Sequence, residues 1–572
     1  MKGDNMKKRI LVIVLASCLA LFTFASCGAE KQPPDTGIDG GFTPGTSAVV
    51  DAPEIEEPDN NDSSNNGSES NEPGNAETES NEGTPDMVYS EGLSFESNGD
   101  GTCYVTGTGS CPDRDIIIPP TSPAGDVVTG IGSNAFAVSG YIISIIIPDT
   151  VTTVQPGAFH WESEMNFNED DYAYYIGSYT NPYAVLIKMK DTEITHFEMY
   201  DTTVVINDGA FSECGKLVNL SIPDSVKCIG YGAFENCESL VSATLPEGLT
   251  AIAERTFYDC DKLKSINIPD SVISIGDEAF EFCVSLYSIN IPSKVESIGK
   301  DAFKGCQALI EVYNQSSLGI GAGSSGNGYV GETAKNVYTD ENGASRIAEK
   351  DGYVFYCNDE AGEYYLLDYP KGSTSLTLPE NINGNSYGIY ACTFYNCNEI
   401  TEIVISNGVN DIGGNAFEGC LNVMQNEGGV WYVDNWAVSS DDSVTSVSLK
   451  SGTVGIAVGT FSECASLGSV SCGESLKYIG DGAFANCVSL SSIVIPEGVR
   501  RIGMATFMNC SSLTTATIPK SVETIEDYAF GFCTGLKAVF YGGNESEWAA
   551  IEFGKYGNDV LQNVLINYNQ GY

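Results

Sequence analysis

Large apolar side chains recur along most of the chain at a fixed spacing. From Phe136 onward, a phenylalanine preceded by alanine or threonine appears thirteen times, and nine of the twelve steps between these phenylalanines are 23 residues. The other three steps are 52, 91 and 44 residues, close to multiples of 23. This pattern predicts a solenoid, because one short repeat cannot bury its apolar edge without its neighbours. The phenylalanines are Phe136, Phe159, Phe211, Phe234, Phe257, Phe280, Phe303, Phe394, Phe417, Phe461, Phe484, Phe507 and Phe530.

One regular copy begins at Leu263 and ends at Cys283. The spacing of Leu263, Ile266 and Ile268 predicts a short strand, which Pro269 ends because proline cannot donate to a ladder. The inward positions that follow are Val272, Ile275, Ala279, Phe280 and Cys283, and Gly276 is predicted to allow a turn between them.

The repeated pattern L-x-x-I-x-I-P-x-x-V-x-x-I-x-x-x-A-F-x-x-C resembles that of the BspA-type leucine-rich-repeat family of bacterial and protozoan surface proteins. The resemblance covers about residues 92–572. It implies a leucine-rich-repeat solenoid, mainly β, of about 18 turns. A parallel sheet is expected on one face, with short strands, turns and helical pieces on the other. It also implies a surface-exposed adhesin or binding protein without enzyme activity or a cofactor, and it does not name the ligand.

The same pattern divides the chain. Residues 91–115 are predicted to form an N-terminal cap hairpin, residues 116–540 the solenoid, and residues 541–572 a C-terminal cap. The three long steps place irregular turns at 160–200, 310–390 and 421–455. We expect these stretches to be bulged or degenerate turns within one array.

The N-terminus predicts export. Residues 1–26 carry early positive charges and an apolar run of 16 residues at 10–25, which is short for a membrane span. Small residues before Cys27 and an abrupt polar switch after it resemble a bacterial lipoprotein signal, although Phe24 occupies a position where that pattern has Leu, Val or Ile. Cys18 is the rival lipidation site. The prediction is a lipid anchor on the outer face of the bacterial cell membrane.

Residues 27–90 are predicted to be a disordered acidic tether. Residues 32–86 contain no lysine or arginine and are rich in Pro, Gly, Ser, Asn, Asp and Glu. Such a segment cannot bury enough apolar surface to offset the entropy lost on ordering.

Charge narrows the range of partners. The chain has 27 Lys and Arg against 77 Asp and Glu, a net charge of −50. This argues against nucleic acid, whose binding depends on cations that neutralise phosphates. It also leaves the lipid anchor as the only expected membrane contact. The two histidines, His160 and His196, are too few for a repeated acid–base device, and no metal site is predicted.

Eleven of the nineteen cysteines follow the repeat phenylalanine by three residues. One thiol per turn spreads along a line instead of converging on a metal. Buried free thiols are the favoured interpretation, and disulfides between adjacent turns are the alternative. Cys103 and Cys111 lie ahead of the first repeat and are a candidate disulfide within the N-terminal cap.

The outward positions of the predicted strands are small and uncharged. Two interpretations stay open: a hydrogen-bonding platform for a protein or glycan, or short polar residues that simply suit a solvated sheet. These candidate binding residues are Asn219, Ser221, Ser242, Thr244, Ser265, Asn267, Ser288 and Asn290.

The favoured function is a lipid-anchored adhesin or ligand-binding solenoid that recognises an extracellular protein or glycan. The alternatives are a structural or scaffolding envelope protein without a dedicated ligand and, less favoured, an enzyme. The sequence does not indicate the oligomeric state.

Overall fold

The computed structural model describes residues 87–137, 141–159, 165–340 and 343–569. In these ranges the chain is a mostly β, parallel solenoid of about 20 turns with almost no helix. The predicted leucine-rich-repeat fold is confirmed, with slightly more turns than expected. The predicted signal peptide, with Cys18 and Cys27, and residues 27–86 of the predicted tether lie outside the described residues.

The turn that contains Phe280 shows how a repeat is built. Its first strand, Ser265–Ile266, lies within the L-x-x-I-x-I motif of residues 263–268. A second strand, Ser274–Ile275, forms where the sequence analysis predicted only inward-facing side chains. The chain then turns through Glu278 and Phe282, which have φ values of 54° and 63°. Phe280 lies between them and is fully buried.

Gly276 allows close packing between turns. A Cβ atom at this position would lie 2.5 Å from the backbone nitrogen of Glu254 in the preceding turn. The left-handed backbone of the repeat falls instead on Glu278 and Phe282. Glycine is therefore needed here because two backbones approach each other, and the predicted turn begins at the next residue, Asp277.

The first part of the structure contains an antiparallel hairpin followed by parallel strands. Its strands are β1 (Ser94–Ser97), β2 (Thr102–Gly107), β3 (Asp115–Ile117), β4 (Val127–Ile131), β5 (Ser144–Ile146) and β6 (Thr153–Val154). Strands β1 and β2 are antiparallel, and the parallel order β2-β4-β6 continues from the hairpin. Strand β3 pairs with β5 in a separate parallel sheet.

The second part begins with a three-stranded antiparallel meander, β7-β8-β9, and continues in parallel. Its strands are β7 (Asn168–Glu169), β8 (Ala173–Ile176), β9 (Val185–Met189), β10 (Val205–Ile206), β11 (Asn219–Ser221), β12 (Cys228–Ile229), β13 (Ser242–Thr244), β14 (Ala251–Ile252), β15 (Ser265–Ile266), β16 (Ser274–Ile275), β17 (Ser288–Ile291), β18 (Ser297–Ile298), β19 (Glu311–Asn314) and β20 (Asn336–Tyr338).

The third part repeats this plan with the meander β21-β22-β23, whose last strand pairs in parallel with β25. Its strands are β21 (Ile347–Lys350), β22 (Tyr353–Asn358), β23 (Glu363–Asp368), β24 (Ser375–Thr377), β25 (Tyr387–Ile389), β26 (Glu402–Val404) and β27 (Val409–Ile412).

The fourth part begins with the meander β28-β29-β30. Its strands are β28 (Gln425–Glu427), β29 (Val430–Val433), β30 (Trp436–Ser440), β31 (Ser446–Ser448), β32 (Gly455–Ile456), β33 (Ser469–Ser471), β34 (Tyr478–Ile479), β35 (Ser492–Val494), β36 (Arg501–Ile502), β37 (Thr515–Ile518), β38 (Thr524–Ile525), β39 (Ala538–Tyr541), β40 (Glu552–Phe553) and β41 (Leu565–Asn567). A short helix, α1 (Glu545–Trp548), is capped by Asn544, and a 3-10 helix spans Asp559–Gln562.

Each regular turn thus contributes to two parallel ladders. The first ladder contains the motif strands, such as β11, β13, β15 and β17, and the second contains two-residue strands such as β14, β16 and β18. The sequence analysis predicted a parallel sheet on one face and short strands on the other. The second ladder forms because the inward Val and Ile of each repeat stack in register with those of the next turn.

The repeat phenylalanines stack inside the solenoid. Rings from successive regular turns lie face to face, with centroids 4.9–5.9 Å apart. The phenylalanine and cysteine columns point inward, as predicted. The buried residues form four large clusters, which extend from 93 to 205, 173 to 334, 353 to 457 and 430 to 561. Ile310, Tyr356 and Leu367 form a small fifth cluster.

Candidate functional site

The predicted binding residues form two straight columns on the outer side of the first ladder. Strands β11 and β13 pair Asn219 with Ser242 and Ser221 with Thr244. Strands β15 and β17 pair Ser265 with Ser288. A bridge between Thr244 and Asn267 connects the two pairs of strands, and β17 carries Asn290 to the end of the second column. All eight residues are therefore brought together on one face.

Alternation along each strand explains this placement. The central residues Leu220, Ala243, Ile266 and Ile289 are buried in the core. Their neighbours must point outward, because successive side chains of a strand lie on opposite faces. Five of the eight column residues are exposed and three are partly buried. The Ser242 hydroxyl donates a hydrogen bond to Oδ1 of Asn219 at 3.0 Å, which aligns two successive turns.

At their C-terminal end the polar columns are followed by a carboxylate and an aromatic side chain. Strand β19 places Glu311 beside Ser288 and Tyr313 beside Asn290. The ring of Tyr313 stacks on that of Tyr338, with centroids 4.7 Å apart. Oδ1 of Asn290 is buried and has no hydrogen-bond partner in the described part of the chain. An aromatic pair and an unsatisfied acceptor therefore lie next to the polar columns, a feature that the sequence analysis missed.

A second stretch of the first ladder presents a similar surface. In the fourth part, β31, β33, β35 and β37 align outward serine and threonine side chains in register. Ser469 and Ser471 are exposed, and Thr515 and Thr517 are partly buried. Val494 interrupts one of these columns and is 52% exposed. The polar surface of the second part is therefore the more uniform of the two.

The repeat cysteines are buried free thiols, as the favoured interpretation predicted. In regular turns each thiol donates to the backbone carbonyl of the phenylalanine one turn earlier. Cys260, for example, reaches the carbonyl oxygen of Phe234 at 3.2 Å, and Cys306 reaches that of Phe280 at 3.1 Å. Burial raises the pKa of both thiols well above the ordinary value. These thiols are structural in the described fold and are not placed for nucleophilic chemistry.

The candidate disulfide of the N-terminal cap is not formed. Cys103 and Cys111 are both buried free thiols, and the sulfur of Cys103 lies 3.6 Å from the carbonyl oxygen of Asp126. The hairpin joins β1 to β2, so Cys103 is paired across the hairpin with Ser97. The hairpin turn precedes Cys103 and Cys111 follows β2, so the two cysteines do not face each other across the hairpin.

The described residues offer few other candidates for a metal-binding or acid–base site. No group of three His, Cys, Asp or Glu side chains in the described ranges is placed to hold a metal ion. His196 is exposed and forms an isolated parallel bridge with Asn219, and His160 lies outside the described residues. None of the helices in the described ranges has the length and apolar character needed to cross a membrane.

Comparisons with solved structures find bacterial repeat proteins. A leucine-rich cell surface protein from Faecalibacterium prausnitzii is 26% identical, with 82% of this chain and 98% of that chain covered and a TM-score of 0.28. A leucine-rich repeat protein from Bacteroides ovatus is 23% identical, with 80% and 94% covered and a TM-score of 0.29. The pneumococcal vaccine antigen PcpA is 15% identical, with 85% and 98% covered and a TM-score of 0.25. No curated protein matches the chain.

The repeats themselves match a family model. The model describes the BspA type leucine rich repeat region, and it matches residues 120–180, 189–310, 369–456 and 432–553. These segments cover more than half of the chain and include the regular turns with their phenylalanine and cysteine columns. The chain therefore belongs to the BspA type leucine-rich-repeat family.

Proposed function

We propose that this protein is an exported, lipid-anchored surface protein that binds an extracellular protein or glycan through the polar columns of its first ladder. The observation that carries the proposal is the alignment of Asn219, Ser242, Ser265 and Ser288 beside Ser221, Thr244, Asn267 and Asn290. Short uncharged side chains on a rigid sheet can donate and accept hydrogen bonds with little entropy lost on binding.

Two features favour a dedicated ligand over a purely solvated sheet. The buried acceptor of Asn290 lacks a partner, and buried polar atoms are normally hydrogen-bonded. The stacked rings of Tyr313 and Tyr338 adjoin it, and aromatic side chains are common anchors of binding sites. The proposed role involves no catalysis, in keeping with the repeat family. The lipid anchor rests on Cys27 and the signal-like segment before it.

The test places a long charged side chain in the middle of the columns. The protein and its Asn267→Lys variant are applied to arrays of glycans and extracellular-matrix proteins. We expect binding to at least one class of ligand and its loss in the variant, because lysine covers neighbouring polar groups and adds a charge. Ser293→Lys is the matched control, since Ser293 is exposed in a turn outside the columns. An unfolding midpoint close to that of the unmodified protein checks that each variant folds.

Equal binding by the two lysine variants would reject the columns as the site. Failure of the unmodified protein to bind any array, with normal attachment to cells, would favour the structural or scaffolding role in the envelope.

A further inference from the structure

A groove of about 400 Å³ lies beside the first ladder, between residues of the second and third parts of the chain. We name it the junction groove. One wall is formed by residues that recur every 23 positions in successive turns, immediately before the motif strands. The opposite wall is formed by the segments that follow β23 and β25. The residues used below are Val218, Val241, Lys262, Lys264, Ser285, Lys371 and Tyr395.

The junction groove concentrates positive charge in a very acidic chain. Three of the 27 Lys and Arg residues line it, together with only two carboxylates, Asp368 and Glu399. Lys264 is paired with Asp368, and its ammonium nitrogen lies 4.3 Å from the ring centre of Tyr369. The ammonium nitrogen of Lys262 lies 3.6 Å from a carboxylate oxygen of Glu399.

The third lysine is available to a ligand. Lys371 is exposed and has no ion pair or hydrogen bond with another described residue. Lys262 and Lys264 are paired with the two carboxylates, so Lys371 is the one lining lysine left for a ligand. Asp261, Glu418 and Asp259 lie near Tyr395, so the attraction for an anion is confined to the ammonium group of Lys371.

The groove also offers neutral polar and apolar contacts. Ser285 lines the wall, and its hydroxyl makes no hydrogen bond to another described residue, so it is open to a ligand in the groove. Val218, Val241 and Tyr395 add apolar surface beside it. The volume falls within the range of about 300–1,000 Å³ that is usual for small-molecule sites.

From these groups we infer that the junction groove binds a carboxylated sugar residue. Lys371 pairs with the carboxylate of the sugar, and Ser285 forms a hydrogen bond with one of its hydroxyl groups. The Val and Tyr side chains pack against the apolar face of the sugar ring. A sugar acid combines these three features in one unit. A neutral sugar would leave the lysine unused, and a simple inorganic anion would leave the apolar wall unused. This site goes beyond the proposed function: Asn219 of the polar columns also lines the groove, but Lys371, Ser285 and the apolar side chains lie outside the columns.

The test measures binding to the full chain by calorimetry with three probes: a short oligogalacturonate, N-acetylneuraminic acid and a neutral galacto-oligosaccharide. We expect one of the acidic sugars to bind, more weakly as salt is added, and the neutral sugar not to bind. The two acidic probes distinguish a uronic acid from a sialic acid. Lys371→Ala should weaken binding about two- to five-fold, as for an exposed ion pair. Ser285→Ala should weaken it about two- to ten-fold, as for a neutral hydrogen bond.

Lys520→Ala is the matched control, because Lys520 is exposed and lies away from the groove in the fourth part. Val241→Asp should abolish binding by placing a like charge beside the sugar acid. The inference is overturned if neither acidic sugar binds, if the neutral sugar binds equally, or if Lys371→Ala behaves as Lys520→Ala does. Equal competition by a glutamate-rich peptide would also overturn it and indicate a peptide ligand. Asn267→Lys should leave this binding intact, which separates a failure here from a failure of the polar columns.

Discussion

The thiol of Cys283 donates to the backbone carbonyl oxygen of Phe257, 3.1 Å away in the preceding turn. The same contact recurs between Cys510 and Phe484 at 3.2 Å. Cysteine suits this position because it is small and apolar and still carries a weak donor. The backbone N–H of Phe257 also donates to the carbonyl oxygen of Ala279 in the following turn, so the thiol adds a second connection between the same two turns.

Burial predicts that the column thiols are protected in the native protein. Burial raises the pKa of Cys214 and of Cys533 to about 12, so almost no thiolate forms near neutral pH. Alkylation followed by mass spectrometry should label Cys357, which is only partly buried, before Cys214 and Cys533. All sites should react in denaturant. Labelling of Cys214 as rapid as that of Cys357 would contradict the prediction.

Removal of one ring from the stack should destabilise the array locally. Phe280 contacts the rings of Phe257 and Phe303, with centroids 5.4 and 5.0 Å away. Phe280→Ala should lower the free energy of unfolding by about 3–5 kcal/mol, the usual cost of a buried Phe→Ala cavity. Hydrogen exchange should accelerate around Phe257 and Phe303 but not around Phe507, which belongs to another core cluster.

Phe532→Ala is the control for this experiment, because Phe532 is 61% exposed and should change stability by less than about 0.5 kcal/mol. Uniform acceleration of exchange along the whole chain would contradict the one-dimensional description of the solenoid.

Stability should depend on pH through Asp411. Burial, with Asp481 nearby, raises the pKa of Asp411 from 3.8 to about 6. The folded chain therefore binds more protons than the unfolded chain between these values, and stability falls as pH rises through that window. Asp411→Asn keeps the site neutral. In urea unfolding, the stability of the variant relative to the unmodified protein should increase from about pH 4 to about pH 7. Asp270→Asn, at an exposed position, is the control for the loss of a carboxylate.

The anchor prediction concerns the N-terminus. Cys27→Ala should move the protein from the membrane fraction to the medium, because attachment of the lipid requires that thiol. Cys18→Ala is the matched comparison, since Cys18 is the rival site. Mass spectrometry of the mature N-terminus identifies the modified residue. Retention of the Cys27→Ala variant, with release of the Cys18→Ala variant, would assign the anchor to Cys18.

The regular turns were predictable because local pattern and tertiary packing agree in them. The spacing of Leu263, Ile266 and Ile268 fixed the first strand, and the period of Phe280 fixed the stack. The outward position of Asn267 followed from alternation alone. In these turns each residue contacts the equivalent residue of the next repeat. The sequence separation between contacting residues therefore equals the repeat length.

The irregular stretches were not predictable in the same way. They were expected to be degenerate turns, but three meanders form there, and their antiparallel pairing follows no 23-residue period. The junction groove was missed because it joins Lys264 to Asp368, which lie 104 residues apart. Such contacts depend on how successive parts of the solenoid face each other, and no local signal encodes them.

The meanders also bear on self-association. The outermost strand of each one, β7, β21 or β28, is two to four residues long. Each carries charged or amide side chains, such as Glu169, Lys350 and Gln425. A long apolar strand at the edge of a sheet would offer unpaired amide and carbonyl groups to other molecules, and short charged strands discourage that pairing. The places where the repeat breaks down therefore discourage edge-to-edge pairing of this long stack of β-strands with other copies of the chain.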